Sequence, residues 1–170
     1  MSVETILLGA SDQDVEQLTD VAIEVAKPLD ATVVVAHILP TEVSSSTNTS
    51  PVVGTLSPYV VSENEYETLL DEHSVDDYPP DEYAATNLVS ELSSVREITT
   101  RLDDADVEYD VRGAVGDPGE GLVALTNELD ADRVIISGRR RSPTGKALFG
   151  SVTQSVLLNS PCPVTFVRVD

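Results

Sequence analysis

Lysine is almost absent from this chain. Lys27 and Lys146 are the only two in 170 residues, and with the arginines they make ten cations against thirty Asp and Glu, a formal net charge of −20 at pH 7. A surface so poor in cations lacks the basic face that neutralises phosphates, which argues against nucleic acid and anionic membranes as partners. Mutual repulsion among so many carboxylates is costly in dilute salt and is screened to within a few ångströms at molar salt. The cytoplasm of a halophile is the expected home. Cysteine is nearly missing too: Cys162 stands alone, so no intrachain disulfide can form. No apolar run approaches the roughly 20 residues of a membrane span, and the start, Met-Ser-Val-Glu-Thr, has no basic region ahead of an apolar stretch. The expected molecule is soluble and cytoplasmic, a single domain over residues 1–170 with length enough for a real core.

Several catalytic and binding motifs are also missing. Six residues separate Gly138 from Gly145 where a Walker-type phosphate loop has four, and Lys146 is followed by Ala147 instead of Ser or Thr. Gly9 stands alone in its apolar run, so there is no dinucleotide fingerprint, and no Gly-x-Ser-x-Gly elbow occurs. His37 and His73 are the only histidines, one in an expected strand and one in an acidic stretch, which suits core or surface roles better than a metal pair. Cys162 lies between two prolines with no base placed beside it, so it reads as a small buried residue and not a nucleophile. Carboxylate pairs arise by chance at this charge, so no catalytic residue is assigned. A weak hydrolase would have Asp12 as its one candidate base.

What is present has a regular order. Thr5 to Ala10 is a short apolar run without alternation, as in a strand buried on both faces. Val15, Leu18, Ala22 and Val25 follow at helical spacing, with Ser11, Asp12 and Asp14 as N-cap candidates and Lys27-Pro28 as the stop. Ala31 to Ile38 is a β-branched second strand. Residues 41–82 hold ten carboxylates and no Lys or Arg, and read as an acidic insertion with a short helix from Glu63 to Asp71. It is expected as a solvated loop in preference to a functional lid. Ala85, Leu88, Leu92, Val95, Ile98 and Leu102 mark one helical face over about five turns. Val107 to Val115 alternates, as a strand near a sheet edge does. Gly116-Asp117-Pro118-Gly119-Glu120 is a helix start with Asp117 as N-cap, Pro118 at N1 and Glu120 at N3. A fourth strand at Arg133 to Ser137, a helix ending near Asn159 and a last strand at Val164 to Val169 complete a β-α-β-α-β-α-β-α-β order. That order predicts an α/β fold, a doubly wound five-stranded parallel sheet flanked by helices.

Four of the ten cations, Arg139, Arg140, Arg141 and Lys146, fall within Ser137 to Ser151, among glycines and small hydroxyl residues. A cationic, glycine-containing loop between a strand and a helix start is suited to phosphate. In doubly wound sheets ligands bind at the carboxyl ends of strands where the winding reverses. If the first and fourth strands are neighbours, Ala10–Asp12 and Ser137–Arg141 meet there.

Four stretches resemble the universal stress protein family. Ile6 to Asp12 is similar to its first strand and turn, and Val34 to Ile38 to its second strand. Gly116-Asp117-Pro118 matches its Gly-Asp-Pro helix start. Ile136 to Val152, followed by Ser160-Pro161-Cys162-Pro163-Val164, resembles its Gly-x-x-Gly-x9-Gly-Ser/Thr signature and Pro-Cys-Pro-Val ending. Counted back from Gly150, Ser137 and Arg140 stand where the signature has its first two glycines, and Gly138 is displaced by one. The resemblance implies a Rossmann-like, adenine nucleotide alpha hydrolase-like fold. It also implies a regulatory domain that binds ATP or another adenine nucleotide, with Mg²⁺ as a candidate companion, and has little or no catalysis. By position, Gly9, Ala10, Ser11, Asp12 and Ile38 would line adenine and ribose, and Gly116 would let the backbone near the ribose. Ile136, Ser137, Gly138, Arg139, Arg140 and Arg141 would wrap the phosphates, and Gly150, Ser151 and Val152 would donate to them. Val164 to Val169 would pair with the same strand of a second copy in a homodimer. The alternative is a dimeric stress module that binds no nucleotide, in which the arginines are structural.

Overall fold

A computed structural model describes residues 3–11, 14–40, 80–139 and 149–169, and of Arg139 the backbone alone. The predicted helix at Glu63 to Asp71, His73, Asp12, Arg140, Arg141 and Lys146 lie outside the described residues. Five strands, β1 (Thr5–Gly9), β2 (Thr32–Leu39), β3 (Tyr109–Val115), β4 (Arg133–Arg139) and β5 (Val164–Val169), form one parallel sheet in the order β3-β2-β1-β4-β5. The helices are α1 (Val15–Ala26), α2 (Glu82–Glu91), α3 (Ser93–Asp104), α4 (Pro118–Glu128) and α5 (Ser151–Asn159), with a 3₁₀ turn at Lys27–Leu29. The doubly wound α/β architecture expected from the sequence is the one found.

The apolar runs of β1, β2 and β4 are continuous because both faces are covered. Ile6, Leu8, Val33, Val35 and Ile135 pack toward α1, α2 and α3, while Leu7, Val34, Ala36, Val134 and Ile136 pack toward α4 and α5. The five-turn face from Ala85 to Leu102 is two helices and not one. Leu92 is extended (φ −61°, ψ 137°) and buried between α2 and α3. Both segments face the same core cluster, so the apolar spacing runs unbroken across the break. Asp14 stands at the N-cap position of α1 but is left-handed (φ 51°) and its side chain caps nothing, so that part of the expected start is not realised.

Helix ends follow a second pattern. Asp30, Asp106 and Asp130 are left-handed (φ 53°, 58° and 48°), Asp30 directly after the 3₁₀ turn and the other two one residue beyond the C-caps Ala105 and Leu129. The following residues, Ala31, Val107 and Ala131, donate N–H groups back to Ala26, Leu102 and Thr126 at 3.0–3.1 Å, and all three are buried. These are Schellman closures in which Asp takes the place usually held by Gly. At the amino end of the sheet the Asp132 carboxylate accepts the Thr5 and Glu4 N–H groups at 3.0 and 2.9 Å, which holds its pKa below the ordinary value.

The two sheet edges differ. On β3, Thr86 of α2 accepts the Gly113 N–H at 3.0 Å, and a Cβ on Gly113 would stand 2.5 Å from the Ala85 carbonyl oxygen, so α2 lies directly against that edge. Arg112 pairs there with Glu128 at 2.8 Å and with Glu82. Strand β5 pairs with β4 on one side, and among the described residues no strand lies on its other side, where Gln17 reaches the Arg168 carbonyl at 3.4 Å.

Candidate functional site

The winding reverses between β1 and β4, which pair through Ile6, Leu7 and Leu8 against Arg133, Val134 and Ile135. The carboxyl ends of β1 and β4, at Gly9–Ser11 and Ile136–Arg139, therefore lie side by side, as the topological argument required. The Ala10 N–H donates to the Ala36 carbonyl at 2.8 Å, which ties the end of β1 to β2, and His37 Nδ1 lies 3.4 Å from the Ala10 carbonyl oxygen. His37 is buried on β2, a core position.

Of the predicted site side chains that are described, all but that of Ser151 turn into the protein. Ala10, Ser11, Ile136, Ser137 and Val152 are buried. Ile38 is covered by the first turn of α4, where a Cβ on Gly121 would be 2.8 Å from the Ile38 Cδ1. A Cβ on Gly138 would meet the Phe166 ring at 2.9 Å and Thr153 Oγ1 at 3.1 Å, so this glycine is needed for packing. Gly116, Gly150 and Ser151 keep access to solvent. Gly116 (φ 139°) occupies a conformation open to glycine alone, and its N–H donates to Leu39 at 2.9 Å, folding the turn over the end of β2.

Two of the helices that begin at this end, α4 and α5, pack against each other. At α4, Asp117 Oδ1 accepts the Glu120 N–H at 2.9 Å, Pro118 occupies N1 and Glu120 adds a carboxylate to the first turn. At α5, Gly150 is the N-cap (φ −66°, ψ 165°), no side chain among the described residues caps the helix, and its first turn carries no acid. A Cβ on Gly150 would meet nothing within 4 Å. The start of α4 packs closely on the middle of α5, since a Cβ on Gly119 would lie 2.7 Å from Ser155 Cβ. The first N–H groups of α5 have no partner within their own helix, and the helix dipole adds positive potential there. That end can hold an anion.

Sequence reading overlooked one signal that bears on this site. Residues 133–169 contain no Asp or Glu and hold six of the ten cations: Arg133, Arg139, Arg140, Arg141, Lys146 and Arg168. This acid-free stretch is the structural unit β4–α5–β5, with α5 against β4 and β5 beside it. It also missed Thr153 and Phe166, whose contact with Gly138 depends on how α5 lies over the sheet. Among the described residues no group of three or more His, Cys, Asp or Glu could hold a metal ion, and no helix is long and apolar enough to cross a membrane.

Residues 3–168 match the Universal stress protein family. The chain belongs to that family. A "Universal stress protein" of Mycolicibacterium smegmatis is 39% identical over 75 residues, which are 44% of this chain and 58% of that protein, so the chain spans little more than half the length of that relative. The structure of a universal stress protein from Archaeoglobus fulgidus in complex with dAMP superposes with a TM-score of 0.58 at 16% identity, covering 98% of each chain. A universal stress protein in complex with cAMP gives a TM-score of 0.57 at 19% identity over 100% of both chains. Likeness at that identity establishes the universal stress protein fold.

Proposed function

We propose that this chain is a regulatory domain that binds ATP or a related adenine nucleotide at the β1/β4 reversal, forms a homodimer and carries out little or no catalysis. The observation that carries the reading is the start of α5. In a protein with thirty carboxylates, the helix that begins at the reversal has a glycine N-cap and a first turn without acid, on an acid-free stretch. Phosphate would be held by the N–H groups of Ser151 and Val152 and the Ser151 hydroxyl, with Gly150 leaving room for its approach. Adenine and ribose would lie over the ends of β1 and β2, from Gly9 to Asp12 and beside Ile38, with Gly116 as the backbone contact. Because the side chains of Ala10, Ser11 and Ile38 are buried, they would shape the floor and offer backbone groups. The arginines at 139–141 would add charge. Solved relatives with bound dAMP and cAMP support an adenine nucleotide as the ligand class.

Dimerisation would use β5. Val134 accepts its place in the ladder by donating its N–H to the Pro163 carbonyl at 3.0 Å. By the alternation of a parallel ladder, Val164, Phe166 and Arg168 then turn their backbone groups to the open edge. An apolar open edge invites pairing, and a second copy would bring it another acid-free strand, which avoids carboxylate repulsion at the contact. Leu157 and Leu158 on α5 are exposed, Leu158 at 74%.

Equilibrium dialysis of the full chain in molar KCl with ATP tests the reading. Retention at micromolar to low millimolar nucleotide is expected, and no retention at millimolar ATP overturns it. The packing role of Gly138 favours a second reading, in which the first half of the loop is structural and no nucleotide binds. Loss of stability without any ATP retention when Arg139, Arg140 and Arg141 are replaced by Gln would support that alternative.

A further inference from the structure

Phe166 touches both ends of the segment that joins β4 to α5. On one side its ring stands 2.9 Å from where a Cβ on Gly138 would be. On the other it meets Phe149 edge-on, with centroids 5.2 Å apart and planes at 80°. Phe149 immediately precedes Gly150, the N-cap of α5. The same Phe166 lies near the middle of β5, with its backbone turned to the open edge. One residue thus reaches the start of the anion-holding helix with its ring and the pairing edge with its backbone.

We propose that Phe166 is a positioning residue that links nucleotide binding at α5 to pairing of β5 with a second copy of the chain. The inference rests on the nucleotide-binding reading above. Pairing of the edge fixes the Phe166 backbone in a ladder. Its ring then restrains Phe149, and through it the Gly150–Ser151 turn whose N–H groups face the phosphate. A pre-ordered turn loses less freedom on binding, and the coupling is reciprocal, so nucleotide strengthens the dimer by the same factor by which dimerisation strengthens nucleotide binding.

Sedimentation equilibrium of the full chain in molar KCl, with and without saturating ATP, measures this factor. ATP is expected to tighten dimerisation of the wild type by about five-fold or more. Phe149→Leu leaves β5 intact and should dimerise as the wild type does without nucleotide, while its ATP-dependent gain falls below about two-fold. Phe149→Tyr should restore the gain. If wild type binds ATP and dimerises with constants independent of each other, or if Phe149→Leu keeps the full gain, the linkage is overturned and the nucleotide reading stands. ATP binding by a chain that stays monomeric has the same consequence. If dialysis shows no ATP binding, the nucleotide reading fails and the linkage with it.

Discussion

Helices α4 and α5 start at the same end of the sheet and pack against each other, yet their first turns are finished in opposite ways. Helix α4 satisfies itself: Asp117 accepts the Glu120 N–H, and two carboxylates sit at the positive pole of the dipole. Helix α5 brings a glycine N-cap, no acid and, among the described residues, no side-chain cap. A helix end that evolution or design meant only to stabilise would resemble α4, since a cap contributes about 1 kcal/mol. The acid-free stretch from Arg133 to Val169 extends the same contrast to a whole edge of an otherwise acidic protein. The lesson is that in such a protein the informative charge is the carboxylate that is missing.

The largest expected effect crowds the contact between the start of α4 and the middle of α5. Gly119→Ala places a Cβ 2.7 Å from Ser155 Cβ, an atom close to the backbone that cannot swing away. Equilibrium denaturation should show a loss of about 2 kcal/mol, in the range of overpacked cores. A loss under about 0.5 kcal/mol would mean that α4 and α5 separate easily, and that their common geometry is not fixed by this packing.

Gly150→Asp makes α5 resemble α4. The backbone at Gly150 is extended and the space around its missing Cβ is open, so the side chain fits without strain. The new carboxylate should cap the helix and raise stability by about 0.5–1 kcal/mol. It should also repel phosphate, weakening ATP retention by about ten-fold or more, roughly 1.4 kcal/mol. The opposite signs are the diagnostic. Increased stability with unchanged ATP binding would place the phosphate elsewhere.

The reciprocal change, Asp117→Ala, should cost about 1 kcal/mol of stability through the lost Glu120 N–H bond, with ATP affinity changed by less than about two-fold. A large loss of affinity in calorimetry would show that α4's start also serves the ligand, and would erase the distinction drawn between the helices.

The same comparison marks how far the sequence could be read. The succession of strands and helices along the chain, the Asp117-Pro118 start and the Gly150-Ser151 start were legible, because apolar runs, caps and spacing are local signals; the adjacency of β1 and β4 entered only as a condition, because pairing between distant strands is not local. The break at Leu92 was hidden because both flanking helices bury the same stripe against one core. Gly138 could be seen as a glycine beside the signature, but its purpose depends on Phe166 and Thr153, residues 28 and 15 positions away that only folding brings near. The sealing of the β3 edge was equally non-local, since Thr86 and Gly113 are 27 residues apart. For the candidate site, the helix start was visible in sequence, whereas the burial of Ser11, Ile38 and Ser137 was not, since it depends on which sheet face each strand residue takes.

The smallest expected effect concerns the opposite ends of the two helices. Helix α4 is followed by left-handed Asp130, a carboxylate at the negative pole, whereas α5 is followed by extended Ser160. A side chain in the left-handed region costs about 1 kcal/mol relative to Gly, less for Asp than for most, and Gly gives back part of that through its freer unfolded chain. Removing the charge also relieves its clash with the helix dipole, by a few tenths of a kcal/mol in dilute salt. Asp130→Gly should therefore stabilise by about 0.5 kcal/mol at low salt, and by less at molar salt, where the electrostatic part is screened. Asp130→Asn separates the two causes, because Asn keeps the tolerance for the left-handed backbone and loses only the charge. A gain for Asn that vanishes in molar KCl assigns the cost to the carboxylate. A gain for Gly alone, unchanged by salt, assigns it to the backbone and leaves the acidic helix ends electrostatically neutral in effect.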